Sequence, residues 1–254
     1  MFPYQLLQLK PIVWTRYPWL CGYLVAPILY WVAENYVGTT CFRWASPLHS
    51  TTTAPADILA ICWHFHFLRR TAEVLFLNTY HGKGIPNERD SVLEFVYYST
   101  WGIINGCTGA CVRISSSTTG ANNKNALLSS SPVVLFGLVL FGLSEFGNFL
   151  CHAHLKSLRS DPKDTSWKIP YRWPFSIIAA PHYTFELMSW WGYVLMAGFS
   201  PPSLFIFGMS CVFCTVWSKS RKEKYIQLYN KSDDKKTDDS SSPENRWALI
   251  PFLY

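Results

Sequence analysis

The chain has 254 residues, 49% hydrophobic, 17% aromatic and only 15% charged. Soluble domains carry roughly 25% charged residues, so this composition excludes a disordered chain, a coiled coil, a collagen-like fibre and a small disulfide scaffold, and argues against an ordinary soluble globule. The net charge is +6, but Lys and Arg fall between apolar runs and in the C-terminal tail, which reads as a topological signal and not as a nucleic-acid footprint.

A bilayer-spanning helix needs about 20 mostly apolar residues, and six segments qualify. The first covers 19–37. The second covers 57–77 and carries His64, His66, Arg69, Arg70 and Glu73. The third covers 92–112, the fourth 132–155, the fifth 174–199 and the sixth 203–218. Ser200-Pro201-Pro202 joins the last two as a tight helical hairpin. The expected fold is all-α, a polytopic membrane bundle of about six transmembrane helices. With the N-terminus, 78–91, 156–173 and the tail on one side, that side holds seventeen of the 22 Lys and Arg, and the opposite loops hold three. This asymmetry predicts six spans with both termini cytosolic.

Residues 1–229 read as one membrane domain, and 230–254 as a cytosolic polar tail ending in IPFLY. Within it, 230–246 is rich in Lys, Asp and Ser and reads as disordered. Met1 to Lys10 lack the pattern of a cleavable signal, so the first span is expected to act as the anchor. The 8 cysteines lie mostly in apolar runs and read as small buried residues. Cys211 and Cys214 form a CxxC with no second ligand pair, a weak metal or redox signal.

Ionisable groups at membrane depth are costly and therefore functional candidates. His66, Arg70 and Glu73 share one helical face. That face either closes an internal Arg70–Glu73 ion pair or lines a cavity for an anionic ligand. Asn148, His152 and Arg159 fall within about 40° of one another on a continuous helix, a polar stripe suited to hydroxyl, amide and phosphate groups or to interhelical hydrogen bonds. Tyr183 and Glu186 share a face with Trp190, where the phenol can donate a proton and the carboxylate can orient it. The two HxH pairs, His64/His66 and His152/His154, point about 200° apart on a helix, and no di-iron histidine box accompanies them. No GxGxxG is present, so any nucleotide binds outside a Rossmann site.

The strings HFLRRTAEVLF (66–76), GNFLCHAHLKSLR (147–159), WKIPY (167–171), PHYTFELMSWWGY (181–193) and IPFLY (250–254) resemble the steroid 5α-reductase family. Within it, HGKGIP (81–86) and Tyr183-Thr184 are most similar to the trans-2-enoyl-CoA reductase branch of very-long-chain fatty acid elongation. The resemblance implies an endoplasmic-reticulum membrane enzyme that uses NADPH, with cofactor positions at Arg70, Asn148, His152, Arg159, Trp167, Arg221 and Tyr225. It implies Tyr183 as the proton donor, beside Glu186, for a long-chain enoyl-CoA. The acyl chain would lie in an apolar cavity open to the bilayer, with CoA at a basic cytosolic mouth and other elongation enzymes as partners. The alternatives are reduction of a Δ4-3-ketosteroid or polyprenol-like lipid, and a non-catalytic scaffold of the elongation machinery. The chain departs from the family at Phe67, where Tyr is frequent, and at His182, where Asn is usual. The first span has no acid matching the catalytic Glu of the steroid branch, because Glu34 comes too late.

Overall fold

The computed structural model describes residues 10–36, 54–77, 88–118, 131–159, 166–231 and 242–250. HGKGIP, most of the loop after residue 118, the 232–241 part of the tail and residues 251–254 lie outside them. Six long helices follow one another: α1 (Lys10–Tyr36), α2 (Ala56–Ala72), α3 (Glu88–Thr118), α4 (Pro132–Ser157), α5 (Pro181–Met196) and α6 (Pro201–Lys231). A π-helical turn, Glu73–Leu77, extends α2, and a 3-10 turn, Pro243–Asn245, opens the final segment. Outside the helices the described residues form turns and irregular segments, with one isolated bridge, Ile178 to Trp247.

Proline marks three helix starts, because its missing N–H is already an orphan at the first turn. In α4, the Ser131 hydroxyl also accepts from the Val134 amide. The expected fifth span begins at 174, but α5 begins only at Pro181. The proline keeps Ala180 out of the helical region (φ −134), and 174–180 forms turns instead. At 16 residues, α5 is about 24 Å long, short of the ~30 Å apolar core of a bilayer. The sixth expected span ends at 218, whereas α6 runs on to Lys231 because Lys219–Lys231 is rich in helix formers and free of Gly and Pro. Among the described residues, α4 and α6 are long and apolar enough to cross a membrane. One side of α4 exposes Phe136, Val139, Leu143, Phe146 and Leu150, spaced three or four apart as one helical stripe.

Contacts fix the directions. Gly102 and Gly106 of α3 sit on the backbone of Ala26 and Tyr30 of α1, so the two run parallel. Phe67 meets Tyr23 and Trp63 meets Tyr30, so α2 runs against α1. Gly137 and Gly192 bring α4 and α5 into backbone contact, antiparallel. Tyr97 meets Phe213 and Trp101 meets Phe205, so α6 runs against α3. Successive helices therefore alternate in direction, and the C-terminal ends of α2, α4 and α6 gather with the N-terminal end of α5. The α5–α6 hairpin at the opposite end turns through left-handed Gly198 (φ 59) and Phe199 (φ 55); the first costs nothing for glycine.

An aromatic core fills the middle. Trp63 and Phe67 are fully buried, and Trp63 packs on Tyr30, Trp190 and Tyr193 with ring centroids 5.4–5.9 Å apart. Such offset and tilted pairs add to simple burial. The final segment returns as a strap. Trp247 exchanges backbone bonds with Ile177 and Ala179, Arg246 donates to the Pro170 carbonyl (2.7 Å), and Leu249 packs with Leu187 and Cys214.

Candidate active site

The gathered helix ends hold a buried ionic network. Glu145 of α4 accepts from His66 Nδ1 (2.8 Å) and Arg69 Nε (2.6 Å) of α2. Glu73, at the start of the π turn, pairs with both Arg69 and Arg70. His66 Nε2 lies 3.4 Å from Glu186 of α5, and the Trp190 indole donates to the same carboxylate (3.2 Å). Glu73 and Glu145 are each 1% exposed, so their charges are satisfied by partners and not by water. Losing one member would strand the others, at a cost of about 3–5 kcal/mol.

Asn148 joins the network to the site. Its oxygen accepts from Arg69 (2.9 Å), and its amide donates to the His182 carbonyl (2.7 Å) and to Glu186 (3.1 Å). Its side chain thus ties α2, α4 and the first turn of α5 together. Arg70 is also engaged: it reaches His152 Nε2 (3.0 Å) and the Tyr23 hydroxyl (3.2 Å) besides Glu73. The Arg70–Glu73 pair, one of the two readings of the second-span face, is therefore present, and its guanidinium also borders His152.

The second half of the site centres on Arg221 of α6. Its guanidinium lies within electrostatic reach of the hydroxyls of Tyr183 and Tyr225 and 4.9 Å over the Trp167 ring. Tyr183 packs at a tilt on His182 (4.2 Å) and meets Trp217 (5.8 Å), while His182 packs on His152 (5.3 Å). The Thr184 hydroxyl bonds the Leu249 carbonyl, so the strap fixes the turn that carries Tyr183. Arg159 lies just past the end of α4 and within electrostatic reach of Tyr225. The stripe therefore stays on a helix only through Asn148 and His152.

Tyr183, His152, Trp167, Arg221 and Tyr225 form one connected group, with Arg159 at its edge. Glu186 turns from it toward His66, Asn148 and Trp190. Arg69, noted in the second span, and Glu145 were given no role from the sequence. Glu145 lies three residues before Asn148 in an apolar run, and Arg69 four before Glu73, spacings that could have flagged them.

The residues present suit a dinucleotide. Arg221 offers a cation next to an aromatic face, and two phenols add hydrogen-bonding groups. His182 Nδ1 is buried and has no partner among the described residues, which a polar ligand group would satisfy. The bundle is helical, with two helices long and apolar enough to cross a membrane among the described residues, and the family follows from comparison. The family model described as 3-oxo-5-alpha-steroid 4-dehydrogenase matches residues 91–254, and the chain belongs to this oxidoreductase family. It is 23% identical over 252 residues to the "Very-long-chain enoyl-CoA reductase" of Dictyostelium discoideum, covering 97% of this chain and 72% of that protein. It is 25% identical over 230 residues to the "Probable very-long-chain enoyl-CoA reductase art-1" of Caenorhabditis elegans, covering 86% and 65%. It is 23% identical over 229 residues to "Polyprenal reductase 1" of Arabidopsis thaliana, covering 81% and 67%.

Proposed function

We propose that this chain reduces the trans-2 double bond of long- and very-long-chain enoyl-CoA with NADPH, in the endoplasmic reticulum membrane, as a step of fatty acid elongation. The observation that carries the reading is the Tyr183 phenol packed on His182 and within electrostatic reach of Arg221, at the polar end of the bundle. Its support is a similarity to very-long-chain enoyl-CoA reductases along nearly the whole chain. Arg159, Trp167, Arg221, Tyr225 and His152 would hold the cofactor, and Arg70 and Asn148 would form the wall behind it. Two arginines at the mouth favour the phosphorylated nucleotide. When bound, the reduced nicotinamide supplies hydride to C3 of the substrate.

The protein supplies the proton and the field. Negative charge develops on the thioester oxygen as the double bond is reduced, and donors near it lower the barrier. Tyr183 gives its proton to C2. The Arg221 guanidinium, within electrostatic reach of the phenol, would stabilise the phenolate left behind. Glu186 and Asn148 keep the first turn of α5 in register by gripping it at the side chain and at the His182 carbonyl. The ketosteroid alternative asks for an acid from the first helix near the reacting carbonyl. Glu34 is held by Arg113 (2.9 Å) at the opposite end of the bundle.

The alternating helix directions and the Lys/Arg asymmetry support six crossings with both termini cytosolic. The test is to incubate purified protein with NADPH and, separately, a long trans-2-enoyl-CoA, a Δ4-3-ketosteroid and a polyprenal. Saturated acyl-CoA from the first alone is expected. Reduction of another acceptor alone would overturn the substrate, and neither turnover nor NADPH binding would leave a scaffold.

A further inference from the structure

The helix seams of the bundle are built in two ways. Backbones touch at α1/α3 and α4/α5. A Cβ at Gly102 or Gly106 would lie 2.4 or 2.3 Å from an α1 carbonyl oxygen, and one at Gly192 would lie 2.6 Å from the Gly137 carbonyl oxygen. Seams of that kind cannot part without moving whole helices. The α3/α6 seam is held by the tips of aromatic side chains. Tyr97 meets Phe213 edge to face (5.5 Å), and Trp101 meets Phe205 (4.9 Å). Phe213 stacks on Trp217 (5.5 Å), and Trp217 reaches Tyr183 (5.8 Å). An unbroken line of rings thus runs from the reacting phenol to the outer surface, where Trp217, Val212, Val216 and Phe205 are exposed.

The space beyond Tyr183 is closed in the other direction. Trp63 and Phe67 are 0% exposed and Trp190 is 4% exposed, and the three pack together beneath the site. A chain of many methylenes has no room to run down the bundle axis.

We infer that the α3/α6 seam is a lateral door: the acyl chain passes between Tyr97 and Phe213–Trp217 into the bilayer, while the thioester stays at Tyr183. This rests on the enoyl-CoA reading above. The occupant follows from the chemistry of the two ends, one reactive and polar, the other apolar and continuous with the exposed face of α6. Aromatic side chains can yield by rotamer changes without breaking backbone packing. Trp217 and Phe213 are then specificity-determining residues, and carbons beyond the door lie in lipid, where extra length meets no wall.

The experiment has two readouts on the full-length protein in lipid nanodiscs. In the first, kcat/KM is measured from crotonyl-CoA to enoyl-CoA esters longer than a palmitoyl chain. It should rise and then stay level within about threefold, whereas a closed pocket rejects each added methylene steeply. In the second, an enoyl-CoA carrying a diazirine at its chain terminus is photolysed, and the labelled peptides are identified. Label on residues 95–103 and 205–217 is expected, competed by unlabelled substrate. A sharp length cut-off, or label confined to α1, α2 and α4, would overturn the door while leaving the reductase intact. Failure to reduce an enoyl-CoA of any length would instead remove the functional reading itself. Trp217→Ala, which loses the inner leaf, should shift kcat/KM among chain lengths while NADPH binding stays unchanged; an equal loss at every length would also count against the door.

Discussion

Tyr183 and Arg221 divide the chemistry at the level of single residues. The phenol is the acid, and the guanidinium is the group that makes its anion tolerable. Tyr183→Phe keeps the ring against His182 and Trp217 but removes the proton, so turnover should fall about a hundredfold while NADPH affinity is nearly unchanged. Rapid-mix kinetics with nucleotide titration measures both. Arg221→Ala should weaken both, because one side chain serves the nucleotide and the acid. Glu145 touches neither, yet Glu145→Ala would leave His66 and Arg69 facing an empty acceptor. The expected loss is about 3 kcal/mol of stability, read as a lower Tm in detergent, with partial rescue by Glu145→Gln. The sequence made some of this legible. Helical spacing put Asn148 and His152 on one face and paired Arg70 with Glu73. The pairing of Glu145 with His66 and Arg69 was not legible, because no local spacing encodes a contact between α2 and α4. Arg159 leaves the helical stripe for the converse reason: a spacing argument assumes a helix that here stops at Ser157.

At the scale of helices, glycine decides which pairs are rigid. A side chain at Gly192 would meet the Gly137 oxygen at 2.6 Å and the Phe141 nitrogen at 2.8 Å, both backbone atoms that cannot turn aside. Gly192→Val should therefore cost about 2–3 kcal/mol and disturb the Asn148 grip on α5, lowering Tm and activity together. Gly142 has nothing within 4 Å of its would-be Cβ, so Gly142→Ala should leave Tm level or raise it, by up to about 1 kcal/mol of helix propensity. Equal effects at the two positions would mean that α4 and α5 do not meet as described. Apolar length located all six helices but blurred their ends. The run that includes 174–180 looks like a helix by hydropathy, and only Pro181 betrays the later start. The extension of α6 was hidden because Lys219–Lys231 is too polar for a span yet well suited to a helix.

For the whole molecule, the polar groups gather at the end where the strap of residues 246–250 closes over the entry to α5. Leu249 and Thr184 join the last described segment to the turn holding Tyr183. The strap follows a polar stretch read from sequence as a loose tail, and its return to the bundle was signalled only by the apolar Trp247-Ala248-Leu249 run. Removing residues 247–254 should therefore lower kcat more than it raises KM for the enoyl-CoA, since it frees the proton donor while Arg246 and the cationic mouth remain. Loss of NADPH binding alone would contradict that division. The fate of isotope in the product reports directly on hydride delivery to C3 and on proton delivery by Tyr183. Purified protein would be given a long trans-2-enoyl-CoA and NADPH deuterated at the transferring position of the nicotinamide, and the product analysed by mass spectrometry. Saturated acyl-CoA with one deuterium at C3 and a solvent-derived hydrogen at C2 is expected, greatly slowed in Tyr183→Phe. Oxidation of NADPH without saturated acyl-CoA, or deuterium at C2, would contradict this chemistry.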